Sequence, residues 1–219
     1  MQGPKITKEC VAEVTDKKFL RVFDLQYAEG KHYFDATRRP LENIVATKTE
    51  EEFKTMLPDA VSCVVICEKT GEDPKLLLSY EYRYPTGRFL LSVPAGLLDP
   101  EDANTKEPVV TTAIREIHEE TGVVVDESKD VVKIINPLLF STPGMTDESN
   151  AIVCVILKDH DLSGLTQDGA EGQECFDGFS LITKEEAKKI LKDGVDDRGH
   201  FYSVYTWAAL MYFALDLWK

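Results

Sequence analysis

The apolar positions of the chain fall into short runs separated by turn formers. Ala60 to Glu68 (AVSCVVICE) is apolar almost throughout, as a strand buried on both faces of a sheet has to be. Lys75 to Arg83 follows across the turn Thr70-Gly71-Glu72-Asp73-Pro74, and its length and composition predict a second strand. Phe89 to Val93, Val123 to Val125, Val131 to Leu139, Ala151 to Leu157 and Asp177 to Ile182 read as further strands. Ahead of them, Ile6 to Val14, Phe19 to Gln26 and His32 to Ala36 form a separate β-rich piece, with a turn at Ala28-Glu29-Gly30-Lys31. So small a sheet cannot bury a core alone. Residues 1–57 are therefore expected to pack on the main domain, 58–219, or on another subunit. Thr49 to Met56 reads as a short helix or a polar connector.

The helical period is clearest before Gly122. At about 100° per residue, Val110, Ala113, Ile114 and Ile117 share one face, and Glu116, Glu119 and Glu120 share the next. Gly122 stands where a left-handed C-cap is wanted. Thr183-x-x-Glu186 is a capping box that opens a helix ending at Gly194. Phe201 to Lys219 is apolar with helical spacing. Ser203, Thr206, Asp216 and three tyrosines interrupt it, so it reads as a packed helix and not a membrane span. The sum is an α+β chain, a mixed sheet flanked by helices.

Charge narrows the choice of partner. The formal net charge of −14 argues against nucleic acid, which needs a basic surface. It leaves room for a phosphorylated small molecule held by cations and a few arginines. The five cysteines are odd in number and scattered, which suits reduced thiols in a cytoplasmic protein. No signal peptide is expected.

Three carboxylates on adjacent turns repel one another and call for a cation, and hard ions such as Mg²⁺ or Mn²⁺ prefer oxygen ligands. A bare Glu-x-x-Glu-Glu is more often a solvated helix face. Here the flanking residues say otherwise. Glu107, seven residues on Arg115, then Glu116-Ile117-His118-Glu119-Glu120-Thr121-Gly122-Val123 resemble the Nudix box, Gly-x5-Glu-x7-Arg-Glu-U-x-Glu-Glu-x-Gly-U with U aliphatic. The departure is upstream: ten residues, not five, separate Gly96 from Glu107, so a five-residue insertion is expected in the loop before the helix.

Around the box, Glu81-Tyr82-Arg83-Tyr84-Pro85, Pro94-Ala95-Gly96-Leu97-Leu98-Asp99 and Ser141-Thr142-Pro143-Gly144 are similar to patterns of the ADP-ribose pyrophosphatase branch. The resemblance implies the α/β/α sandwich of that superfamily and a homodimer joined through residues 1–57. It implies Mg²⁺ or Mn²⁺ held by the Ala95 carbonyl, Glu116, Glu120 and Glu119, the last being a ligand or the partner of Arg115. It implies substrate contacts from Arg83, Arg39, Phe34, Asp35 and Glu148. The general base would come from the late acidic loop, as Glu171 or Glu174, with Glu148 a third candidate. Phe19 is a possible second stacking ring, and His118 and His160 are bystanders. The implied reaction is hydrolysis of a nucleoside diphosphate linked to another moiety, ADP-ribose first, with nucleotide sugars or dinucleotides as alternatives. A ligand sensor that does not hydrolyse is the alternative from another class.

Overall fold

A computed structural model describes residues 7–17, 20–169 and 174–219. The chain divides into two compact units, Met1–Pro58 with Leu139–Ser149, and Asp59–Leu138 with Asn150–Lys219.

The first unit holds an antiparallel meander of β1 (Val11–Lys17), β2 (Leu20–Ala28) and β3 (Lys31–Thr37). Ala28 pairs with Lys31, and Gly30, at φ 65°, takes the left-handed conformation that the tight turn requires. Thr7 to Cys10 is not strand, as the periodicity suggested. Cys10 N–H donates to the Thr7 carbonyl at 2.9 Å, and Lys8–Cys10 forms a single 3₁₀ turn. Phe23, Leu25 and Ile44 make the buried cluster, with Val11 and Leu41 against it. Helix α1 (Glu50–Lys54) opens on a reciprocal box: Thr49 Oγ1 accepts from Glu52 N–H, and Glu52 Oε2 accepts from Thr49 N–H.

Segment 139–149 was expected to follow the main domain, but it clusters with the first unit. The reason is hydrogen bonding. Met145 O accepts from Ala36 N–H at 2.9 Å, Gly144 O accepts from the Tyr33 hydroxyl at 2.8 Å, and Asp147 Oδ2 accepts from Val45 N–H at 2.9 Å.

The second unit is built on β4 (Ala60–Glu68), β5 (Lys75–Arg83), β6 (Arg88–Ser92), β7 (Ala95–Leu97), β8 (Val131–Phe140), β9 (Ser149–Lys158) and β10 (Phe176–Ile182). The order is β10-β5-β4-β9-β8, with β6 on β5 and β7 on β4. Strand β4 runs parallel to β9 and antiparallel to β5 and β7, so the sheet is mixed. Its side chains alternate: Val61, Cys63 and Val65 join the core under helix α2 (Pro108–Thr121).

Pro108 at the first helical position and Gly122 at φ 73° set the ends of α2. Val109, Ala113 and Ile117, four residues apart, are its buried stripe; Val110, placed there by the helical wheel, is only half-buried. Full burial of Ile117 contributes about 2–3 kcal/mol. Helices α3 (Lys184–Asp193) and α4 (Val204–Ala214) pack on each other, and α4 also packs on β4. The valines after Gly122 are not a strand. Val123 and Val125 are buried in the core while Val124 is exposed, so the alternation marks a buried face without a hydrogen-bonded neighbour.

Candidate active site

Strand β7 brings the backbone against the acidic face of α2. Ala95 N–H donates to Glu120 Oε2 at 3.3 Å. A Cβ added to Gly96 would stand 2.0 Å from the carboxyl carbon of Glu116, so only glycine allows this approach. Glu116 and Glu120 are buried and Glu119 is half-buried, while His118 points into solvent.

Arg115 organises the group. Its Nη1 lies 2.8 Å from both Glu116 Oε1 and Glu119 Oε2. Its Nη2 donates to the Leu97 carbonyl at 2.9 Å and to Asp102 Oδ2 at 2.8 Å, and its Nε also donates to Asp102. Asp102 is itself buried, and accepts from the Thr112 hydroxyl and Asp99 N–H as well. Burial would raise its carboxyl, but the Arg115 bonds outweigh that and hold it below the usual carboxylate range.

The other carboxylates go the opposite way. Burial pushes Glu116 up to about 7, and Glu119 and Glu174 add to it against the pull of Arg115. Glu120 is raised well above its ordinary value, by burial first and then by the charges of Glu81, Glu116 and Glu174. Among the described residues no three acid, His or Cys side chains are already gathered closely enough to hold an ion; the Arg115 guanidinium bridges two of them instead. The donor set nevertheless fits a divalent cation. Two buried oxygen donors carry charge that burial penalises, and the missing side chain of Gly96 leaves one of them its space.

The other expected site residues fall into two sets. Arg83 ends β5, exposed, its Nη2 2.5 Å from Glu81 Oε2. Glu174 is exposed and within electrostatic reach of Glu81, Glu116 and Glu120. Glu171 and Phe19 lie outside the described residues. In the first unit, Phe34 is exposed and Asp35 buried at a cavity of about 240 Å³, with Tyr33, Phe53, Phe140 and Met145 also in its wall. Arg39 Nη2 donates to Ser149 Oγ at 3.2 Å, and its Nε lies 4.0 Å from Asp147. Glu148 pairs with Arg38 at 2.8 Å. A larger open cavity, about 470 Å³, lies at the far end of β4 against Cys67, Lys69 and His160, and holds none of the α2 carboxylates.

The NUDIX domain family matches residues 56–204, well over half of the chain. The chain belongs to the Nudix family. It is 29% identical over 165 residues to a Nudix hydrolase of Schizosaccharomyces pombe, covering 74% of this chain and 68% of that protein. It is 31% identical to an ADP-ribose pyrophosphatase of Saccharomyces cerevisiae, over 65% of this chain and 57% of the relative. Other Nudix relatives are spanned less fully, 39% of a Caenorhabditis elegans protein and 30% of an Arabidopsis thaliana one. A solved structure titled as an ADP compounds hydrolase matches with a TM-score of 0.53 at 20% identity, covering 100% of this chain and 95% of that one. That match bears on the fold alone, and the fold agrees with the α+β expectation.

Nudix membership gives the Arg115 network a second meaning. Counted from Gly96, the acidic position of Gly-x5-Glu is Asp102, with aspartate in place of glutamate. Asp102 grips Arg115, whereas Glu107 is exposed and makes no side-chain cap on α2. The extra five residues therefore come after the acidic position, between Asp102 and the helix. The signal for this was in the sequence, in the spacing from Gly96.

Proposed function

We propose that this Nudix hydrolase cleaves the pyrophosphate bond of a nucleoside diphosphate linked to another moiety, and that ADP-ribose is its substrate, giving AMP and ribose 5-phosphate. The observation that carries the reading is the buried Glu116–Glu120 pair on α2, packed under Gly96 with Arg83 at the end of β5. The name of the yeast relative, an ADP-ribose pyrophosphatase, supports the choice of substrate.

Glu116, Glu119 and Glu120, with the Ala95 carbonyl, would hold Mg²⁺ or Mn²⁺. Such an ion supplies charge neutralisation at the diphosphate and a lowered water pKa. Arg83 is exposed and cationic, placed to bind phosphate oxygens. Glu174 accepts the proton of the attacking water, and Glu171 is the other candidate for that role. Water adds across the P–O–P anhydride: its oxygen joins one phosphorus, the bridging oxygen leaves with the other, and each half departs as a phosphate monoester, AMP and ribose 5-phosphate. In the first unit, Phe34 offers a ring face to the base, with Asp35 and Arg39 completing that subsite and Glu148 beside it. We take residues 1–57 as the element that joins two copies into a homodimer. Among the described residues no helix is long and apolar enough to cross a membrane; a cytoplasmic location is part of this proposal.

The test is a product-identified screen with Mg²⁺ over ADP-ribose, nucleotide sugars, dinucleotides and nucleoside triphosphates. AMP and ribose 5-phosphate from ADP-ribose, with the highest kcat/KM of the set, is the expected result. Preference for another compound would overturn the substrate and the roles of Phe34 and Arg39, and leave the α2 site in place.

A further inference from the structure

Between β9 and β10 the chain runs back along the end of α2. The last carbonyls of a helix lack partners inside it, and that of Thr121 accepts from Thr166 N–H at 3.1 Å. Leu162 and Leu165 pack against the core that α2 covers. Gly169 then meets the helix backbone to backbone. A Cβ added there would stand 2.5 Å from the Glu119 carbonyl oxygen and 2.9 Å from Glu119 Cα. Neither atom belongs to a side chain that could turn aside, so only glycine permits this approach.

The far end of the same stretch is tied as well. Cys175 O accepts from Tyr82 N–H at 2.8 Å, and Phe176 pairs with Glu81 of β5. The Gln167 side chain joins the two ends: its Oε1 accepts from Gly178 N–H at 3.2 Å, and its Nε2 donates to the Gly178 carbonyl at 3.5 Å. Only four residues separate Gly169 from Glu174. A glutamate on so short a span is placed by the anchors on either side of it. Here one anchor is the backbone of the helix that carries Glu116, Glu119 and Glu120. General-base catalysis depends on such placement, because the base must come within hydrogen-bond reach of the water it deprotonates.

We propose that Gly169 and Gln167 are positioning residues for the proton-accepting glutamate: Gly169 seats the acidic loop on the backbone of α2, and Gln167 closes it against β10. The proposal rests on the reading of that loop as the source of the general base. Neither residue touches the reacting atoms. Each acts through the glutamate, so its effect disappears when the glutamate's carboxylate is removed.

The experiment is a double-mutant cycle on the full-length chain. Steady-state rates in Mg²⁺, on the compound that the product screen selects, are measured for the parent, Gly169→Ala, Gln167→Ala, Glu174→Gln and the two pairs with Glu174→Gln. Glu174→Gln is expected to lower kcat by about 100-fold or more. Gly169→Ala and Gln167→Ala are each expected to lower kcat by about tenfold or more, with KM and the Mg²⁺ concentration for half-maximal rate held within about twofold. On the Glu174→Gln background the same two changes should cost less than about twofold, because a base already removed cannot be misplaced. A residue that only supports the fold costs as much in both backgrounds. Circular dichroism checks each variant, and Gln167→Ala, which adds no atoms, carries the test if Gly169→Ala does not fold. Equal losses in both backgrounds overturn the proposal. So does a raised Mg²⁺ requirement with kcat unchanged, which would mean that Gly169 acts through Glu119. A loss under about tenfold in Glu174→Gln removes Glu174 as the base; the cycle is then closed with Glu171→Gln, and equal losses there too overturn the proposal. A parent inactive on every compound of the screen overturns the general-base reading and the proposal together.

Discussion

Asp102 and Glu107, five residues apart, are the two acids that the box spacing offers ahead of α2, and of these two only Asp102 touches Arg115, which Asp99 also approaches at 3.4 Å. Asp102→Ala should leave the guanidinium half-anchored and let Glu119 and Glu116 drift, so kcat/KM with Mg²⁺ should fall by about 10–100-fold. Glu107→Ala should stay within about twofold, as exposed substitutions that touch nothing do. Equal losses in steady-state assays would return the box position to Glu107. Gly96→Ala is sharper, because the new methyl would occupy the space of the Glu116 carboxyl. The Mg²⁺ concentration for half-maximal rate should rise by about tenfold or more, while circular dichroism shows the fold retained. Glu120→Gln should cost about two orders of magnitude or more in kcat, and a loss under about tenfold would remove it from the catalytic set. Glu116 and Glu120 were legible in the sequence, because helical period and box spacing both mark them. Asp102 was not read, since counting back from Arg115 reaches Glu107 first; counting on from Gly96 reaches Asp102, and the hydrogen bonds decide between the two.

At the scale of elements, end signals transfer well because they are local. The Thr183–Glu186 box and Gly194 bound α3 as the sequence said, and Thr183→Ala should cost about 1 kcal/mol in urea unfolding. Pairing transfers badly because it is not local. Nothing in the order of residues around Gly144 announces that its carbonyl accepts from Tyr33, and the valines after Gly122 have a strand's pattern without a strand's partner. Strand β3 carries a pH signature. Burial raises Asp35 to about 6, with the Asp147 charge adding to it, while the Asp147 backbone N–H and Arg39 oppose it. The folded state therefore holds this proton more tightly than the unfolded state does. Its stabilisation is complete below pH 4 or so, and is lost as pH rises through about 6, on the order of 2–3 kcal/mol in all. Asp35→Asn keeps an oxygen for the Asp147 N–H and removes the titration. Melting curves from pH 4 to 8 should slope less for Asp35→Asn than for the parent. Glu116 slopes the same way in both proteins, so the difference between them isolates Asp35. Parallel curves would mean that Asp35 titrates normally.

For the whole molecule, charge and apolar surface make opposing demands on association. The first unit leaves Val14, Leu20, Tyr33 and Phe34 exposed around a small buried cluster, which favours covering that sheet with a second copy. Each copy brings a net charge of −14, which opposes the approach. Screening decides the balance: the Debye length falls from about 30 Å at 0.01 M salt to about 8 Å at 0.15 M. A dimer held by apolar contact should therefore tighten as salt rises over that range, whereas one held by ion pairs would loosen. Sedimentation velocity at the two salt concentrations separates the cases. The expected result is a dimer whose dissociation constant falls by about tenfold between them, and Phe34→Glu should reverse much of that gain by adding charge to the apolar patch. A monomer at every concentration would confine Phe34 and Arg39 to their own chain. The α2 carboxylates would be unaffected, because Ala95, Gly96, Asp102 and Arg115, which position them, all belong to the second unit.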